Sequence, residues 1–458
     1  MIQNFDAIIV GTGQSGPALA RRLAAAGQKV AVVERKLFGG TCVNTGCTPT
    51  KTLIANAYAA HLARRASDYG VSIVGAIEVD MKAVKARKDA VVGVYRDGLE
   101  RSLKTLKGCT VYEGHGRFSG ASIVSVGDIE LSAERIFLNV GGRAVIPPIP
   151  GLDRVPYLTN SSIMEVDFLP GHLMILGGSY VGLEFAQMFR RFGSEVSVIE
   201  AGPRLIARED EDVSRAVAEF LQKEGIRLYL NSKAIEVKQD GNRFDLTISS
   251  GEQISHIAGT HLLVAVGRRP NTDDLGLEKA GIVTDPRGYI TVDDELRTSA
   301  PGIWAMGDCN GRGAFTHTSY NDFQIIAGNL LDNERRRVTD RITAYALYTD
   351  PPLGCVGMTE AEVRNTGKPA LIATLPMENV SRAYEKGETT GFMKILVDRD
   401  SEQILGASFL GLSGDEVVHC VLDVMYAKAS YKVLQRAMHI HPTVAEFIPT
   451  MLGDLRPL

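Results

Sequence analysis

Residues 5–34 read FDAIIVGTGQSGPALARRLAAAGQKVAVVE, and this stretch decides the first part of the fold. The apolar run 5–10 predicts a buried strand, the glycine-rich stretch 11–16 a tight turn, and the alanine-rich stretch 17–27 a helix. A second apolar run, 29–33, leads to Glu34. Strand, glycine turn, helix and strand in this order predict a βαβ unit that binds a dinucleotide.

The same pattern recurs at residues 172–200, which read HLMILGGSYVGLEFAQMFRRFGSEVSVIE. Gly11 and Glu34 lie 23 positions apart, and Gly177 and Glu200 are separated by the same 23 positions. One glycine turn alone is weak support for a nucleotide site, but two units of equal dimensions are not a chance match. The sequence therefore predicts two nucleotide-binding domains.

The residue types in each turn suit a pyrophosphate site. The first glycine permits the turn, the second lets the backbone approach the phosphates, and the third lets the helix pack on the strand. The helix N-terminus offers free N–H groups, and the acid after the second strand accepts hydrogen bonds from ribose hydroxyls. Ser179 replaces the middle glycine of the second unit. The predicted contacts are Gly11, Gly13, Gly16 and Glu34 in the first unit and Gly177, Gly182 and Glu200 in the second.

The composition argues against several classes of protein. The chain has 458 residues, of which 45% are hydrophobic and 23% charged, ordinary values for a globular protein of about two to four domains. A formal net charge of −4 without a basic stripe argues against nucleic-acid binding. The chain start lacks the pattern of a secretory signal, and no stretch approaches the ~20 apolar residues that span a bilayer. We therefore expect a cytoplasmic enzyme with no nucleic-acid or membrane partner.

Two of the six cysteines lie in the stretch GGTCVNTGCTPTK at residues 39–51. Packing residues, a zinc site, a structural crosslink and a working redox pair are the interpretations open for Cys42 and Cys47. Zinc commonly needs about four ligands from paired motifs, and no second pair accompanies this one. A disulfide is geometrically demanding, because five residues of straight helix advance about 7.5 Å whereas bridged Cα atoms lie within about 6.8 Å. The glycines and Pro49 permit the irregular backbone that a disulfide requires.

The stretch 39–51 resembles the redox-active disulfide segment of the class I pyridine nucleotide–disulfide oxidoreductases, which include glutathione reductase, dihydrolipoamide dehydrogenase and mercuric reductase. The resemblance covers essentially the whole chain, with VGRRPN at 266–271, AMGDCNG at 305–311 and HPTVAE at 441–446 in the expected order. It implies an α/β protein with two Rossmann-like dinucleotide-binding domains and a C-terminal α+β dimerisation domain. The expected boundaries are 1–149 with 270–341 for the FAD domain, 150–269 for the NAD(P)H domain, and 342–458 for the dimerisation domain.

The resemblance also implies where the cofactors bind. FAD is expected along the first glycine turn and Glu34, with Gly116 near the adenine and Asp308 on the ribityl chain. NAD(P)H is expected on the second βαβ unit, with Gly267 of the VGRRPN stretch as a further contact. Glu200 repels a 2′-phosphate, which favours NADH, although Arg204 and Arg208 offer positive charge that permits some use of NADPH. We therefore expect FAD and NAD(P)H as cofactors, with NADH favoured.

The roles of four further residues follow from the same resemblance. Cys47 is implied to be the charge-transfer thiol next to the flavin, and Cys42 the interchange thiol that meets the substrate. Lys51 is implied to approach the flavin and to pair with Glu184, and a carboxylate partner makes a buried ammonium tolerable.

The HPTVAE stretch resembles the C-terminal motif of the family, in which His441 acts as acid–base and Glu446 orients it. An imidazole titrates near neutral pH, so it can accept a thiol proton and return it. In the family this histidine reaches the disulfide of the other subunit. The resemblance therefore implies a homodimer whose active sites are completed across the interface. His439 lacks the motif context, and we interpret it as structural.

The sequence narrows the electron acceptor to a class. FTHTSYNDFQII at 315–326 resembles the branch with the bacterial reactive-chlorine-resistance flavoreductases, which reduce hypothiocyanous acid. We expect transfer to a small oxidant such as hypothiocyanous acid, or to a disulfide. The alternatives are a mercuric-type metal-ion reductase, a dihydrolipoamide dehydrogenase and, from a different class, a redox sensor without turnover. No cysteine follows Cys420, so we expect inefficient Hg(II) reduction and no resident metal site.

Overall fold

The computed structural model describes residues 2–458. Its first part contains the predicted βαβ unit and the cysteine stretch. The charged stretch 81–107 predicts one helix, but this helix ends at residue 104, because the chain turns at Gly108 (φ +84°) to enter the next strand. The elements are β1 (Ile2–Val10), α1 (Gly16–Ala25), β2 (Val30–Glu34), α2 (Gly40–Thr45), α3 (Cys47–Arg64), α4 (Met81–Lys104), β3 (Cys109–Glu113), β4 (Gly116–Gly120), β5 (Ile123–Val126), β6 (Ile129–Leu138) and β7 (Gly142–Ala144).

The middle part contains the second βαβ unit, followed by antiparallel strands and a return to the first sheet. The elements are β8 (His172–Leu176), α5 (Tyr180–Phe192), β9 (Glu195–Ile199), α6 (Glu211–Lys223), β10 (Arg227–Tyr229), β11 (Lys233–Asp240), β12 (Arg243–Ser250), β13 (Gln253–Gly259), β14 (His261–Val264), β15 (Arg268–Pro270), β16 (Ile303–Ala305) and α7 (Thr316–Leu331).

The last part, in the range 342–458 where an α+β domain is expected, alternates strands and short helices. The elements are β17 (Ala344–Leu347), β18 (Leu353–Gly357), α8 (Glu360–Asn365), β19 (Ala370–Pro376), α9 (Ser381–Glu385), β20 (Phe392–Asp398), β21 (Ile404–Leu410), α10 (Gly414–Tyr426), α11 (Lys432–Arg436), α12 (Phe447–Gly453) and β22 (Arg456–Pro457).

The two βαβ units build separate sheets. In the first sheet the order is β3-β2-β1-β6-β5-β4, and β16 also pairs with β6. In the second sheet the order is β10-β9-β8-β14, and every pair is parallel. Their central strands are almost fully buried. In the second sheet, α5 and α6 pack on one face, and the antiparallel strands β11, β12 and β13 cover the other. The glycine turns lie at the carboxyl ends of β1 and β8, where ligands bind in such sheets.

The chain passes between the two sheets through one short ribbon. β7 and β15 pair antiparallel, with Arg268 opposite Ala144 and Pro270 opposite Gly142. The proline cluster 145–151 and the stretch 261–271 predict crossovers between the domains. β7 ends just before the first of these stretches, and β15 lies within the second. The C-terminal sheet is antiparallel, with the order β17-β18-β21-β20-β19-β22. The predicted fold class, two Rossmann-like domains followed by an α+β domain, is confirmed.

Candidate active site

The cysteine stretch lies on two helices that are broken between the sulfur-bearing residues. α2 ends at Thr45, Gly46 adopts φ −134° and ψ −120°, and Cys47 begins α3. A Cβ on Gly46 would lie 2.8 Å from the carbonyl oxygen of Thr41, so a side chain does not fit there. The break removes the extended spacing of a straight helix, as the sequence predicts. Both Cys42 and Cys47 are free thiols in this structure.

A threonine hydroxyl from a distant helix contacts both sulfurs. The Oγ1 atom of Thr316, the first residue of α7, lies 3.1 Å from the Sγ of Cys42 and 3.2 Å from the Sγ of Cys47. The hydrogen bond with Cys42, followed by those with Thr316 and the charge of Lys51, lowers the pKa of Cys47 to about 6. The contact with Cys47 and burial raise the pKa of Cys42. The site thus holds Cys47 as a thiolate and Cys42 as a thiol at neutral pH.

Lys51 lies one turn beyond Cys47 on α3, and its predicted partner Glu184 reaches it from α5. The Nζ of Lys51 is 2.8 Å from Oε2 of Glu184, whose side chain is only 7% exposed. Glu184 also accepts a hydrogen bond from the backbone N–H of Tyr348 (3.1 Å), and the ammonium lies 4.3 Å from the centre of the Tyr348 ring. These contacts fix a positive charge beside Cys47, in a position to stabilise negative charge at the sulfurs.

The first glycine turn is shaped by a residue that sequence reasoning missed. Gly11 has φ +102°, and a Cβ there would lie 2.3 Å from the carbonyl oxygen of Asn139. A Cβ on Gly13 would lie 2.7 Å from Oδ1 of Asn139, and the N–H of Gly16 donates to that same oxygen at 3.1 Å. Only glycine fits at these three positions of the turn. The signal for Asn139 in the sequence is a polar residue directly after the apolar run 136–138, where a buried strand ends.

Glu34 lies at the end of β2 and faces the same turn. Its Oε2 accepts hydrogen bonds from the backbone N–H (3.0 Å) and the hydroxyl (2.6 Å) of Thr12. Gly116 is buried in β4, where a Cβ would lie 3.2 Å from methyl groups of Val10 and Val33. The structure therefore brings both predicted residues to the first sheet, near the turn.

The second glycine turn repeats the first. Gly177 has φ +108°, and a Cβ there would lie 2.4 Å from the carbonyl oxygen of Ala265. A Cβ on Gly182 would lie 2.1 Å from the carbonyl oxygen of Gly177. Glu200 accepts hydrogen bonds from the N–H groups of Gly178 and Gly202, each at 2.7 Å. Ser179 tolerates the middle position because its backbone is extended, with φ −107° and ψ −177°.

Asp308 and Gly267 lie where the chain returns to the first sheet. Asp308 belongs to a short 3-10 turn after β16, and its Oδ2 is 3.8 Å from Nε of Arg268. Burial raises the pKa of Asp308, an effect that Arg268 opposes. Gly267 has φ +133° and open space at its Cβ position. Arg204, expected to offer positive charge to a 2′-phosphate, is half-buried and donates to the carbonyl oxygen of Ala207 at 3.0 Å.

The C-terminal motif is assembled but faces solvent in the single chain. Nδ1 of His441 lies 3.0 Å from Oε2 of Glu446, while the imidazole side chain is 75% exposed. Its neighbours Met438 and Ile440 are 99% and 80% exposed, unusual values for apolar residues. Among residues 2–458, neither sulfur of the cysteine pair has a hydrogen bond to His441. His439, interpreted as structural, is half-buried, with its Nδ1 3.2 Å from the carbonyl oxygen of Ala437.

A cavity of about 560 Å³ is lined in part by Thr316, the residue that contacts both sulfurs. No carboxylate lines the cavity, and polar side chains and the guanidinium of Arg341 share its walls with the apolar residues Ile342, Ala344 and Leu422. Within residues 2–458 no group of three or more His, Cys, Asp or Glu side chains is arranged to hold a metal ion. None of the helices in the same range is long and apolar enough to cross a membrane.

The residues present fit two dinucleotides. In both turns the glycines lie against other atoms of the protein, as Gly11, Gly16 and Gly177 do, and have no room for a side chain. A helix N-terminus and a carboxylate lie beside each turn. This is the donor set that a pyrophosphate and a ribose require. Lys51 and the cysteine pair lie between the two units, because Lys51 belongs to α3 and its partner Glu184 to α5.

Comparison with known proteins agrees with this geometry. Residues 5–322 match the pyridine nucleotide-disulphide oxidoreductase model, and residues 343–452 match the dimerisation domain of the same family. The chain is 36% identical to the probable pyridine nucleotide-disulfide oxidoreductase RclA of Escherichia coli K12, over 97% of this chain and 98% of that one. It is 34% identical to a mercuric reductase of Streptomyces lividans, over 96% of this chain and 94% of the relative.

A solved structure shares the whole architecture. The Cu(II) complex of the HOCl-induced flavoprotein disulfide reductase RclA from E. coli superposes with a TM-score of 0.90 at 34% identity, covering 98% of this chain and 99% of that one. The predicted family, enzyme class and cofactors, FAD and NAD(P)H, are confirmed, and the C-terminal domain is a dimerisation domain, which supports a homodimer. The chain belongs to the pyridine nucleotide-disulphide oxidoreductase family of flavin-dependent enzymes.

Proposed function

We propose that this flavoenzyme uses the Cys42–Cys47 pair to pass electrons from NAD(P)H to a small oxidant, with hypothiocyanous acid as the specific substrate and a small disulfide as the wider class. The observation that carries the proposal is the unequal pair of sulfurs around Thr316, with the pKa of Cys47 lowered to about 6 and that of Cys42 raised. FAD, when bound, supplies the two-electron transfer between the nicotinamide and the disulfide.

The residues of the chain divide the thiol chemistry between them. Two electrons and one proton convert the disulfide into a Cys42 thiol and a Cys47 thiolate. The Cys42 sulfur then attacks the sulfur of hypothiocyanous acid, its proton leaves with the hydroxyl group as water, and Cys42 carries an S–SCN bond. The Cys47 thiolate attacks the Cys42 sulfur, which restores the disulfide and releases thiocyanate.

The acid–base step requires a group that the single chain does not bring to the sulfurs. We propose that His441, oriented by Glu446, takes the Cys42 proton in the partner subunit and returns it to the leaving hydroxyl. The exposure of His441, Met438 and Ile440 supports this assignment, because a second subunit would cover that segment. The family's dimerisation domain at residues 343–452 is consistent with it.

The remaining predictions about the site and the chain become parts of the proposal. We assign FAD to the first glycine turn with Gly116 and Asp308, and NAD(P)H to the second turn with Gly267. We assign the FAD domain to residues 1–149 and 270–341, the NAD(P)H domain to 150–269, and the dimerisation domain to 342–458. The carboxylate of Glu200 supports a preference for NADH. We also assign the protein to the cytoplasm, where persistent disulfides are rare and a reducible cysteine pair is more often catalytic than structural.

The proposal is tested by NADH and NADPH oxidation with a panel of acceptors. The panel contains hypothiocyanous acid, glutathione disulfide, lipoamide, Hg(II) and Cu(II). We expect fast turnover with hypothiocyanous acid that is lost in Cys42→Ser and retained in Cys109→Ser, a half-buried cysteine far from the pair in sequence. Unchanged turnover in Cys42→Ser would remove the thiol relay, and an enzyme that takes up electrons but turns over no acceptor would be a redox sensor.

A metal ion is the second candidate acceptor. The observation that favours it is the Cu(II) complex of RclA, a protein that shares the fold over nearly the whole chain. The Cys42–Cys47 pair offers two soft sulfur ligands but no third His, Cys, Asp or Glu within the described residues. Because Cu(II) takes up one electron, two ions would be reduced for each NADH oxidised, and this stoichiometry distinguishes the two acceptors in the same assay.

A further inference from the structure

Glu209 is a buried carboxylate to which the thiol relay assigns no role. The residue is 2% exposed. Its Oε1 accepts hydrogen bonds from the hydroxyls of Tyr180 (2.5 Å) and Tyr345 (2.9 Å), and its Oε2 accepts one from the thiol of Cys355 (3.3 Å). A buried charge is costly unless it is fully hydrogen-bonded, and three donors meet that cost here.

The donors around Glu209 come from two different parts of the fold. Tyr180 is the first residue of α5, directly after the glycine turn of the second βαβ unit. Tyr345 lies on β17 and Cys355 on β18, both in the C-terminal sheet. Glu209 therefore joins the nucleotide-binding turn to the dimerisation domain.

The position of Glu209 is fixed by the residue that follows it. Asp210 accepts hydrogen bonds from the N–H groups of Glu360 (2.9 Å) and Ala361 (3.1 Å) at the start of α8. Asp210 also pairs with the ammonium of Lys394 at 2.9 Å, and the Lys394 side chain is 1% exposed. Glu209 is thus held rigidly between the two domains, and the tyrosines that bind it are held with it.

The same tyrosines contact the residue next to the redox pair. The ring of Phe315 stacks on Tyr345 at 5.7 Å with an interplanar angle of 6°, and meets Tyr180 edge-on at 6.5 Å. Phe315 directly precedes Thr316, whose hydroxyl lies between the two sulfurs. Burial raises the pKa of Tyr180 and of Tyr345, so both remain hydrogen-bond donors throughout the working pH range. A continuous set of packed groups therefore connects the second glycine turn to the cysteine pair.

We propose that Glu209 is a positioning residue that, through Tyr180, Tyr345 and Phe315, couples nucleotide binding at the second glycine turn to the redox state of Cys42 and Cys47. The inference rests on the proposed thiol relay and adds a regulatory link to it. Its physical basis is the charge at Cys47, because the Thr316 hydroxyl faces a thiolate in the dithiol form and a neutral sulfur in the disulfide form. A change in the position of Thr316 is passed to Phe315 and the two tyrosines, since closely packed side chains do not deform independently.

Linkage makes the coupling measurable without turnover. If the redox state of the sulfurs changes the affinity for the nucleotide by some factor, nucleotide binding changes the equilibrium between disulfide and dithiol by the same factor. The probe is ADP-ribose, which has the pyrophosphate and ribose groups but no nicotinamide and therefore exchanges no electrons. Its Kd is measured by calorimetry on the FAD-loaded dimer, first with the disulfide intact and then with the pair reduced by dithiothreitol. We expect the two Kd values to differ by about fivefold or more in the wild type.

Three variants test the role of Glu209. Glu209→Leu removes all three acceptor contacts, and we expect the ratio of the two Kd values to fall below about twofold. Glu209→Gln keeps an oxygen for both tyrosines, so it should retain most of the ratio. Tyr345→Phe removes one hydroxyl but keeps the stacked ring, and its ratio should be intermediate. The control is Tyr58→Phe, which removes a similar hydroxyl–carboxylate bond, that of Tyr58 with Glu388 at 2.7 Å, and should leave the ratio unchanged.

FAD content and dimer state show whether each variant is folded. If Glu209→Leu does not fold, the Kd ratio of Tyr345→Phe tests whether the coupling depends on the hydrogen bonds to Glu209. Equal Kd values for the two forms of the wild type would overturn the inference, as would an unchanged ratio in Tyr345→Phe and in a folded Glu209→Leu. These outcomes are independent of the acceptor assay. If Cys42→Ser keeps full turnover, the thiol relay fails; if the relay holds but the ratio does not respond to Glu209, only the coupling fails.

Discussion

Replacement of Thr316 by valine tests how the protein sets the acidity of Cys47. Valine has the shape of threonine but no hydroxyl, so the change removes the contacts of 3.1 and 3.2 Å with the two sulfurs and little else. We expect the pKa of Cys47 to rise from about 6 in the wild type, because the thiolate loses one of its hydrogen-bond donors.

The size of the effect follows from the strength of a hydrogen bond to a charged group, about 1.5–3 kcal/mol. Because Cys47 is exposed in the single chain, solvent weakens the bond, and the lower end of this range applies. About 1.5 kcal/mol corresponds to a rise of about one pKa unit, so the pKa of Cys47 in Thr316→Val should be about 7.

The sign of the pH dependence distinguishes this mechanism from general damage. A thiolate forms above its pKa, so the loss of the hydroxyl matters most on the acid side. At pH 6 the thiolate fraction falls from about one half to about one tenth, at pH 7 from about nine tenths to about one half, and above pH 8.5 it hardly changes. Acceptor turnover should therefore fall about fivefold at pH 6 and recover at alkaline pH, if the thiolate limits the rate.

The assay is a pH titration of the two-electron-reduced holoenzyme, followed through the long-wavelength absorbance of a thiolate beside the flavin, together with the pH profile of turnover. Thr316→Ser, which keeps the hydroxyl, is the matched control and should titrate close to the wild type. An unchanged midpoint in Thr316→Val would refute the reasoning, and an equal loss of turnover at every pH would show that the substitution damages the site in another way.

Three further predictions concern the acid–base group, the coenzyme and the domain contact. His441→Gln should lower acceptor turnover by about 10²- to 10⁴-fold while stopped-flow reduction of the flavin by NADH stays at the wild-type rate. Mixed dimers of one His441→Gln subunit and one Cys42→Ser subunit should regain activity, because one site then has both cysteines and the partner's histidine. No recovery would mean that the histidine acts within its own subunit. Glu200→Gln should raise the ratio of kcat/KM for NADPH to that for NADH by about tenfold, because it removes the negative charge that repels a 2′-phosphate. A tenfold change corresponds to about 1.4 kcal/mol. An unchanged ratio would assign coenzyme choice to other residues. Lys394→Met leaves Asp210, Asp212 and Glu360 without their buried ammonium and should destabilise the protein by about 3–5 kcal/mol. The urea midpoint of unfolding should therefore be lower than that of the control Lys29→Met, which removes an exposed lysine. Equal midpoints would show that the carboxylates find other partners.

Much of the architecture is readable in the sequence because it depends on local rules. A strand, a glycine turn and a helix leave a pattern within about 30 residues, and the equal spacing of the two acids marks the repeated unit. The helix break at Gly46 is also local, since it follows from a glycine between two closely spaced cysteines. The end of α4 at Lys104 was placed three residues too late, because helical periodicity alone does not mark where a turn begins.

The sequence by itself determined the two dinucleotide units, the redox character of the cysteine stretch and the expectation of a partner for Lys51. The tertiary structure alone decided which distant groups set the chemistry of these residues. Thr316 lies 274 positions from Cys42, Asn139 reaches the first glycine turn from the end of β6, and Glu209 joins Tyr180 to Tyr345 across two domains. A hydroxyl, an amide and a carboxylate carry no local pattern, because their roles depend on which groups the folded chain packs within hydrogen-bonding distance of them.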